Sequence, residues 1–73
     1  MEHQADLIEK LSRRERMVLQ MTAEGFTSHE IGLKLVISPK TVDTYRARVM
    51  GKLGLTHRYE LVQVAVKSGL LNV

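Results

Sequence analysis

Residues 38–53 read SPKTVDTYRARVMGKL and carry both a helix signal and most of the excess positive charge of the chain. Ser38 followed by Pro39 is a typical helix start, because a Ser side chain caps the first turn and Pro is tolerated at the first helical position. At about 100° per residue, one face of the segment is aliphatic and consists of Val42, Val49 and Leu53. The stretch therefore predicts an amphipathic helix over about 39–53 that buries this face.

The opposite face of the predicted helix is small and polar. It consists of Lys40, Thr44, Ala47 and Gly51, with Asp43 and Arg48 on its flanks. Residues 38–58 hold five basic side chains against one acid, a balance of +4, whereas residues 1–37 sum to −1 and residues 59–73 to 0. A basic helix whose outer face is small, on an otherwise near-neutral domain, predicts a surface that meets phosphate.

One helix is predicted well upstream of this segment. Ser12 and Glu15 have the spacing of a capping box, in which each residue satisfies the other's free backbone N–H group. Leu11 precedes the cap and is expected to pack back onto the domain. Gly25 marks the helix end, since glycine accepts the left-handed conformation found there. The predicted buried side chains of this helix are Val18, Leu19, Met21, Thr22 and Ala23.

A second, short helix is predicted between the first helix and the basic one. Thr27 and Glu30 form another capping pair, with Ser28 as a competing cap, and the helix stops near Val36. Only three or four residues then connect it to the basic helix, which predicts a helix-turn-helix. Gly32 lies where the two helices are expected to touch.

The last predicted helix covers about Arg58 to Ser68 and ends at Gly69. It has more apolar side chains than one small core needs. The residues expected to fill the core are Leu61, Val62 and Ala65. A neighbouring stripe is expected to meet a partner helix and consists of Tyr59, Val62, Gln63 and Val66.

Composition narrows the function classes. The chain has 73 residues, no cysteine and only three aromatic side chains, too few for the stacking platforms of single-strand binders. No apolar run approaches the roughly 20 residues that span a bilayer. The three histidines lack metal-ligand spacing, and no catalytic set of side chains appears, so no enzyme activity, metal or cofactor is expected. We predict an all-α, four-helix bundle domain over 11–73, with a flexible lead-in or linker over 1–10.

The pattern from Leu11 to Leu71 resembles the C-terminal DNA-binding domain of the LuxR family, which includes FixJ- and NarL-type response regulators and stand-alone GerE-type proteins. About five-sixths of the chain follows this pattern, and the combination is far more specific than any one piece. The residues that carry it are Leu11, Ser12, Arg14, Glu15, Val18, Leu19, Met21, Ala23, Gly25, Thr27, Ser28, Glu30, Ile31, Leu35, Ile37, Ser38, Lys40, Thr41, Val42, Tyr45, Arg46, Val49, Met50, Lys52, Leu53, Glu60, Leu61, Val62, Ala65, Gly69, Leu70 and Leu71.

The resemblance implies a transcription regulator of the bacterial cytoplasm that binds double-stranded DNA as a homodimer, with the third helix in the major groove. It implies that Asp43 and Thr44 read bases and that Ala47 lies on the groove face. It implies that Lys40 contacts phosphate or a guanine edge. The remaining expected DNA contacts are Thr27, Ser28, Thr41, Tyr45, Arg48 and Lys52. The fourth helix would pair with its copy, and RNA polymerase is a further expected partner.

Departures from the family pattern concern three positions. Gly32 stands where alanine is usual and is expected to loosen the second helix, and Tyr45 stands where histidine is common. Asp43 stands where many relatives carry Lys or Arg. An acid repels phosphate but can accept a hydrogen bond from cytosine N4, or it can simply be a first-turn acid favoured by the helix dipole.

For Arg46, we expect either an ion pair with Glu15 or Glu30 or a phosphate contact.

Two other interpretations stay open at this point. One is region 4 of a sigma factor, which has the same helix-turn-helix but lacks the ending Gly69-Leu70-Leu71. The other is a protein-interaction module whose working surface is the fourth helix, with the basic helix incidental. The latter predicts no appreciable salt dependence of DNA affinity, whereas phosphate contacts predict a steep one.

Overall fold

The computed structural model describes residues 8–70, which form four helices and contain no strand. The helices are α1 (Arg13–Ala23), α2 (Ser28–Leu35), α3 (Pro39–Leu53) and α4 (Tyr59–Lys67). The predicted all-α, four-helix fold is confirmed, and each predicted helix is present. Residues 71–73, on which part of the family pattern falls, lie outside the described residues.

Capping side chains set the starts of the first three helices. The Ser12 hydroxyl accepts from the Glu15 N–H at 3.1 Å, and the Glu15 carboxylate accepts from the Ser12 N–H at 2.8 Å. Thr27 and Glu30 repeat this exchange, so Thr27 and not the competing Ser28 is the cap of α2. Ser38 caps α3 by accepting from the Thr41 N–H at 3.1 Å.

The core consists of two clusters that α1 and α3 both enter. Val42 of α3 packs with Val18 of α1 and the α2 side chains Ile31 and Leu35. The second cluster is formed by Ile8, Leu11, Leu19, Val49, Leu53, Leu61 and Val64. The aliphatic face predicted for α3 is therefore buried, and its side chains pack against both α1 and α2.

Two packing predictions need correction. On α4 the buried side chains are Leu61, Val64 and Ala65, whereas Val62 is 40% exposed. Val62 therefore belongs to the outer stripe alone, because three core positions already cover the inner face of this short helix. Residues 1–7 of the expected lead-in lie outside the described residues, but Ile8 is buried and packs in the core.

The turn between α2 and α3 packs directly on Gly32. The Gly32 carbonyl accepts from the Ile37 N–H at 2.9 Å, and a Cβ built on Gly32 would lie 2.6 Å from the Ile37 carbonyl oxygen. Gly32 therefore lets the backbone of the turn close over α2. It also lies, as predicted, where the two helices meet, because the same Cβ would be 3.4 Å from the nitrogen of Pro39, the first residue of α3. This tight closure fixes the direction in which α3 leaves the turn.

Candidate nucleic-acid interface

The outer face of α3 is an uncovered helix surface. Lys40, Thr44, Ala47, Arg48 and Gly51 are all exposed, and a Cβ added at Gly51 would meet nothing within 4 Å. The helix is held from behind by its buried side chains, so this face is presented rigidly to solvent. The structure thus brings together the residues that were predicted to lie on the outer face of this helix.

Two side chains of this face are held in defined conformations. The Thr44 hydroxyl donates to the Lys40 carbonyl at 3.1 Å, one turn back along the helix. The Arg48 guanidinium lies 5.7 Å from the centre of the half-buried Tyr45 ring, a distance at which a cation is attracted to the ring face. Such restraint reduces the entropy that is lost when a ligand is bound.

The predicted backbone-holding residues Thr27, Ser28 and Thr41 lie at the starts of α2 and α3. Each hydroxyl already has a protein partner. Thr27 caps α2, the Thr41 hydroxyl is 2.9 Å from the Ser38 hydroxyl, and Ser28 Oγ donates to Asp43 Oδ1 at 2.5 Å. Of these three hydroxyls, only that of Ser28 has its proton committed to a protein acceptor. Thr27 accepts in its bond and so keeps a proton to donate, and either oxygen of the Ser38–Thr41 pair can be the donor.

Asp43 is the centre of a small polar cluster that sequence analysis did not foresee. Besides Ser28, it pairs with Arg46, whose Nη1 lies 3.3 Å from the same Oδ1 atom. The Asp43 side chain is 61% exposed, whereas that of Arg46 is 14% exposed. The spacing of three residues on one helix favours such a pair, and this signal was available in the sequence.

The prediction that Arg46 forms an ion pair with Glu15 or Glu30 is wrong. Glu30 is used in the α2 cap and Glu15 pairs elsewhere, so Asp43 is the acid that Arg46 reaches. Its Nε also lies 3.4 Å from Thr22 Oγ1 of α1. Burial lowers the pKa of Arg46, nearby Arg58 lowers it further and Asp43 opposes the shift, although a guanidinium stays charged at neutral pH.

Lys52, an expected phosphate contact, is tied to α1. Its Nζ lies 2.7 Å from Glu15 Oε1, and the Glu15 side chain is almost completely buried. The hydrogen bond from Lys52 lowers the pKa of Glu15 most, with help from the Ser12 N–H and against the opposing effect of burial. The Lys52 ammonium group keeps further N–H donors, but its position is fixed by the contact with the buried Glu15 carboxylate.

The charge of the basic segment is thus partly neutralised inside the protein. Of its five cations, Arg46 pairs with Asp43 and Lys52 with Glu15. Within residues 8–70 the other three, Lys40, Arg48 and Arg58, have no ion pair. Lys40 and Arg48 lie on the outer face of α3, so the net positive charge of the segment is concentrated where that helix is uncovered.

A second exposed surface runs along α4. It is a shallow groove lined by Tyr59, Val62, Gln63, Val66 and Lys67. Tyr59 is 61% exposed and Val66 is 41% exposed, and the Tyr59 ring stacks on His57 with 5.5 Å between ring centres. The four predicted partner-helix residues therefore lie on one apolar face away from the core.

A family comparison accounts for this arrangement. The sequence profile of the bacterial regulatory proteins of the luxR family matches residues 9–65. The chain belongs to the LuxR family of bacterial regulatory proteins. The resemblance inferred from the motif pattern is thereby confirmed, and with it the helix-turn-helix of a transcription-regulator family.

Similar proteins include response regulators of the LuxR family. The chain is 42% identical over 67 residues to the oxygen regulatory protein NreC of Staphylococcus aureus strain bovine RF122, covering 92% of the chain and 31% of NreC. For NreC of strain JH9 the identity is 44% over 61 residues, covering 84% and 28%.

Among solved structures, full-length FixJ from B. japonicum is 38% identical with a TM-score of 0.82, covering 93% of the chain and 34% of FixJ. The chain thus spans about a third of the length of these relatives. The match at this identity and TM-score supports the LuxR-type fold directly.

Other kinds of site find no support in residues 8–70. No cluster of His, Cys, Asp or Glu there is arranged to hold a metal ion. No helix in the same part of the chain combines the length and apolar character needed to cross a membrane.

Proposed function

We propose that this LuxR-family chain binds double-stranded DNA sequence-specifically and so regulates transcription, with α3 in the major groove. The observation that carries the proposal is the outer face of α3, which is exposed, small and net positive while the rest of the helix is clamped by the core. A groove about 12 Å wide admits one helix, and small side chains let the helix approach the bases closely.

The distribution of charge supports this assignment. Lys40 and Arg48 lie on the outer face without an ion pair in the described part of the chain, so they are available to phosphate oxygens. Thr44 presents its methyl group outward because its hydroxyl is bonded to the helix backbone. A methyl group at this place suits apolar contact with a thymine methyl.

The test is a binding titration of duplexes recovered from a random pool, repeated at several salt concentrations. We expect Lys40→Glu and Thr44→Glu each to weaken binding to the selected site by about 1–3 kcal/mol. Lys34→Glu is the matched control for Lys40→Glu, since it makes the same charge change on α2, where Lys34 lies over the Phe26 ring. Binding should also weaken steeply with salt.

Unchanged affinity in both α3 variants would show that this helix does not enter the groove. A salt-independent affinity would favour the alternative of a protein-interaction module working through α4, for which the exposed apolar side chains of α4 are the supporting feature. Stable co-purification with core RNA polymerase as a subunit would favour the sigma-factor alternative.

We propose further that two copies pair through the α4 groove when bound to adjacent half-sites. Val62 and Val66 are four residues apart on one helical face, so a two-fold axis would bring the same stripe together from both copies. The apolar patch is small, and small interfaces are typical of weak, transient association. Pairing therefore depends on DNA to bring the copies together.

The wider setting follows from the proposed function. A transcription regulator of this family would act in the bacterial cytoplasm and would influence RNA polymerase at the promoter. As the effector part of a response regulator, it would receive its signal from another domain, as the length of the similar proteins suggests.

A further inference from the structure

The polar cluster of Ser28, Asp43 and Arg46 needs an explanation that the DNA-binding face alone does not supply. An acidic side chain on a DNA-binding helix disfavours DNA binding, because a carboxylate is repelled by about 1 kcal/mol by each phosphate at 4 Å even in water. Here the acid is exposed at the edge of the interface and is held by residues from two helices.

The cluster leaves the two Asp43 oxygens in different situations. Oδ1 accepts from Ser28 Oγ at 2.5 Å and lies 3.3 Å from Arg46 Nη1. No hydrogen bond to Oδ2 is formed within residues 8–70, and the side chain is 61% exposed. One oxygen therefore orients the group while the other remains available as an acceptor beside the outer face of α3.

We propose that Ser28 and Arg46 are positioning residues that hold Asp43 so that its Oδ2 selects cytosine at one position of the half-site. This inference rests on the proposed function, and it adds the chemical identity of one base and the residues that enforce it. The Asp43 oxygen accepts a hydrogen bond from cytosine N4 in the major groove.

The major-groove edges of the bases decide in favour of cytosine. A carboxylate can only accept, so it is repelled by the O6 and N7 acceptors of guanine and by the O4 acceptor of thymine. Adenine offers an N6 donor but places the N7 acceptor beside it. Cytosine offers the N4 donor and has no acceptor of its own on the major-groove edge, and it therefore matches a free carboxylate oxygen best.

Arg46 makes this arrangement possible in two ways. The positive charge of Arg46 offsets the negative charge of Asp43, which reduces the repulsion between the carboxylate and nearby phosphates. Its side chain is mostly buried and its Nε is directed to Thr22 of α1, so it is anchored in the domain rather than free to contact DNA. Arg46 thus acts through Asp43.

The experiment is selection from a random duplex pool with the full chain, scored as base preference at each half-site position. The variants are Asp43→Asn, Arg46→Gln, Arg46→Lys and Ser28→Ala. We expect the wild type to prefer cytosine at one position by about tenfold or more, the range of one good base contact. Asp43→Asn should shift that position toward adenine, which an amide can contact with both groups, and leave the others unchanged.

The Arg46 and Ser28 variants separate positioning from a structural role. Arg46→Gln and Ser28→Ala should reduce the cytosine preference several-fold at that same position, while Arg46→Lys, which keeps the charge, should retain more of it. Arg48→Gln is the matched control, because it removes a cation of α3 that does not touch Asp43, and it should weaken all sequences alike. Thermal melts identify any variant that does not fold.

The possible failures are distinguishable. A wild type that selects no sequence would overturn the proposed function itself. A wild type that selects a half-site which Asp43→Asn leaves unaltered at every position would overturn the cytosine assignment alone. A shift with Asp43→Asn, but none with Arg46→Gln or Ser28→Ala in folded protein, would overturn the positioning role.

Discussion

Val36 has an unusual backbone conformation for its side chain. It ends α2 in the left-handed region with φ 58° and ψ 49°, where a β-branched residue is disfavoured by about 1–2 kcal/mol. Its side chain is 89% exposed, so no packing compensates. The strain is maintained because the turn must close within three residues and continue directly into the Ser38 cap.

Val36→Asn should therefore raise the stability of the domain by up to about 1 kcal/mol, since asparagine enters this conformation more readily. The free energy of unfolding from urea titration is the measurement. Leu33→Asn is the control, because Leu33 is also exposed but lies within α2. A gain of equal size at Leu33 would show that removing an exposed apolar side chain, and not relief of strain, is responsible.

Gly32 and Gly51 form a natural pair for a second test, because both lie within helices. Alanine at Gly51 meets open space, so it should add about 0.5–1 kcal/mol of stability through helix propensity. Alanine at Gly32 places its Cβ 2.6 Å from the Ile37 carbonyl oxygen. We expect Gly32→Ala to unfold more easily than Gly51→Ala by about 1–3 kcal/mol; equal stabilities would contradict the tight closure of the turn.

At the scale of elements, one ion pair joins the start of α1 to the end of α3. Glu15 completes the α1 cap through Ser12 and also accepts from Lys52, 37 residues away, with the same oxygen. Its carboxylate is buried, so both donors offset its loss of hydration. The orientation of α3 against α1 thus depends on a charged group as well as on apolar packing.

Lys52→Met should lower the free energy of unfolding by about 1–3 kcal/mol, because it leaves the buried Glu15 carboxylate with fewer donors. Lys40→Met removes a cation of the same helix that has no ion pair within residues 8–70, and should change stability by about 0.5 kcal/mol or less. Similar losses in the two variants, measured by urea unfolding, would argue against the Glu15 contact.

Acid should destabilise the domain through three carboxylates. The pKa of Glu15 is lowered mainly by Lys52, that of Glu30 by the Thr27 N–H and that of Glu60 by the His57 N–H. Their stabilising effect is present above the ordinary value of about 4.5 and is lost as pH falls through the lower folded values.

The urea midpoint should therefore fall progressively below about pH 4.5, where the unfolded chain binds more protons than the folded one. Glu15→Gln should make this dependence shallower than in the wild type. A midpoint that stays constant between pH 6 and pH 3 would contradict the lowered pKa values of all three groups.

At the scale of the whole molecule, the two proposed binding surfaces lie on different helices. The outer face of α3 is polar and net positive, whereas the α4 groove is apolar. The core between them is shared through α1, which contacts both α3 and α4. Under the proposed function, this separation would let one copy hold DNA with α3 while α4 meets a second copy.

Val66→Glu and Val62→Glu should therefore reduce cooperative binding to a paired half-site, because a charge would be buried between two copies. Affinity for a single half-site should stay within about twofold of the wild type, since the proposed function places α3 and not α4 in the groove. Leu33→Glu, an equally drastic change on an exposed α2 side chain, is the control. Titrations of one-site and two-site duplexes measure both quantities; unchanged cooperativity in the α4 variants would exclude pairing through this face.

The helices and their boundaries could be predicted from the chain because their signals are local. Ser12 with Glu15, Thr27 with Glu30 and Ser38 with Pro39 set helix starts through contacts within a few residues. The apolar period then determined which face of α3 is buried, and hence which residues lie on its outer face.

Tertiary structure alone decided the partners of charged and polar groups far apart in sequence. Glu15 with Lys52 and Ser28 with Asp43 are separated by 37 and 15 residues, and no periodicity predicts which helices cross at those points. The same holds for Val64 replacing Val62 in the core. Capping and amphipathicity depend on the local chain, whereas these contacts depend on the angle and height at which packed helices meet.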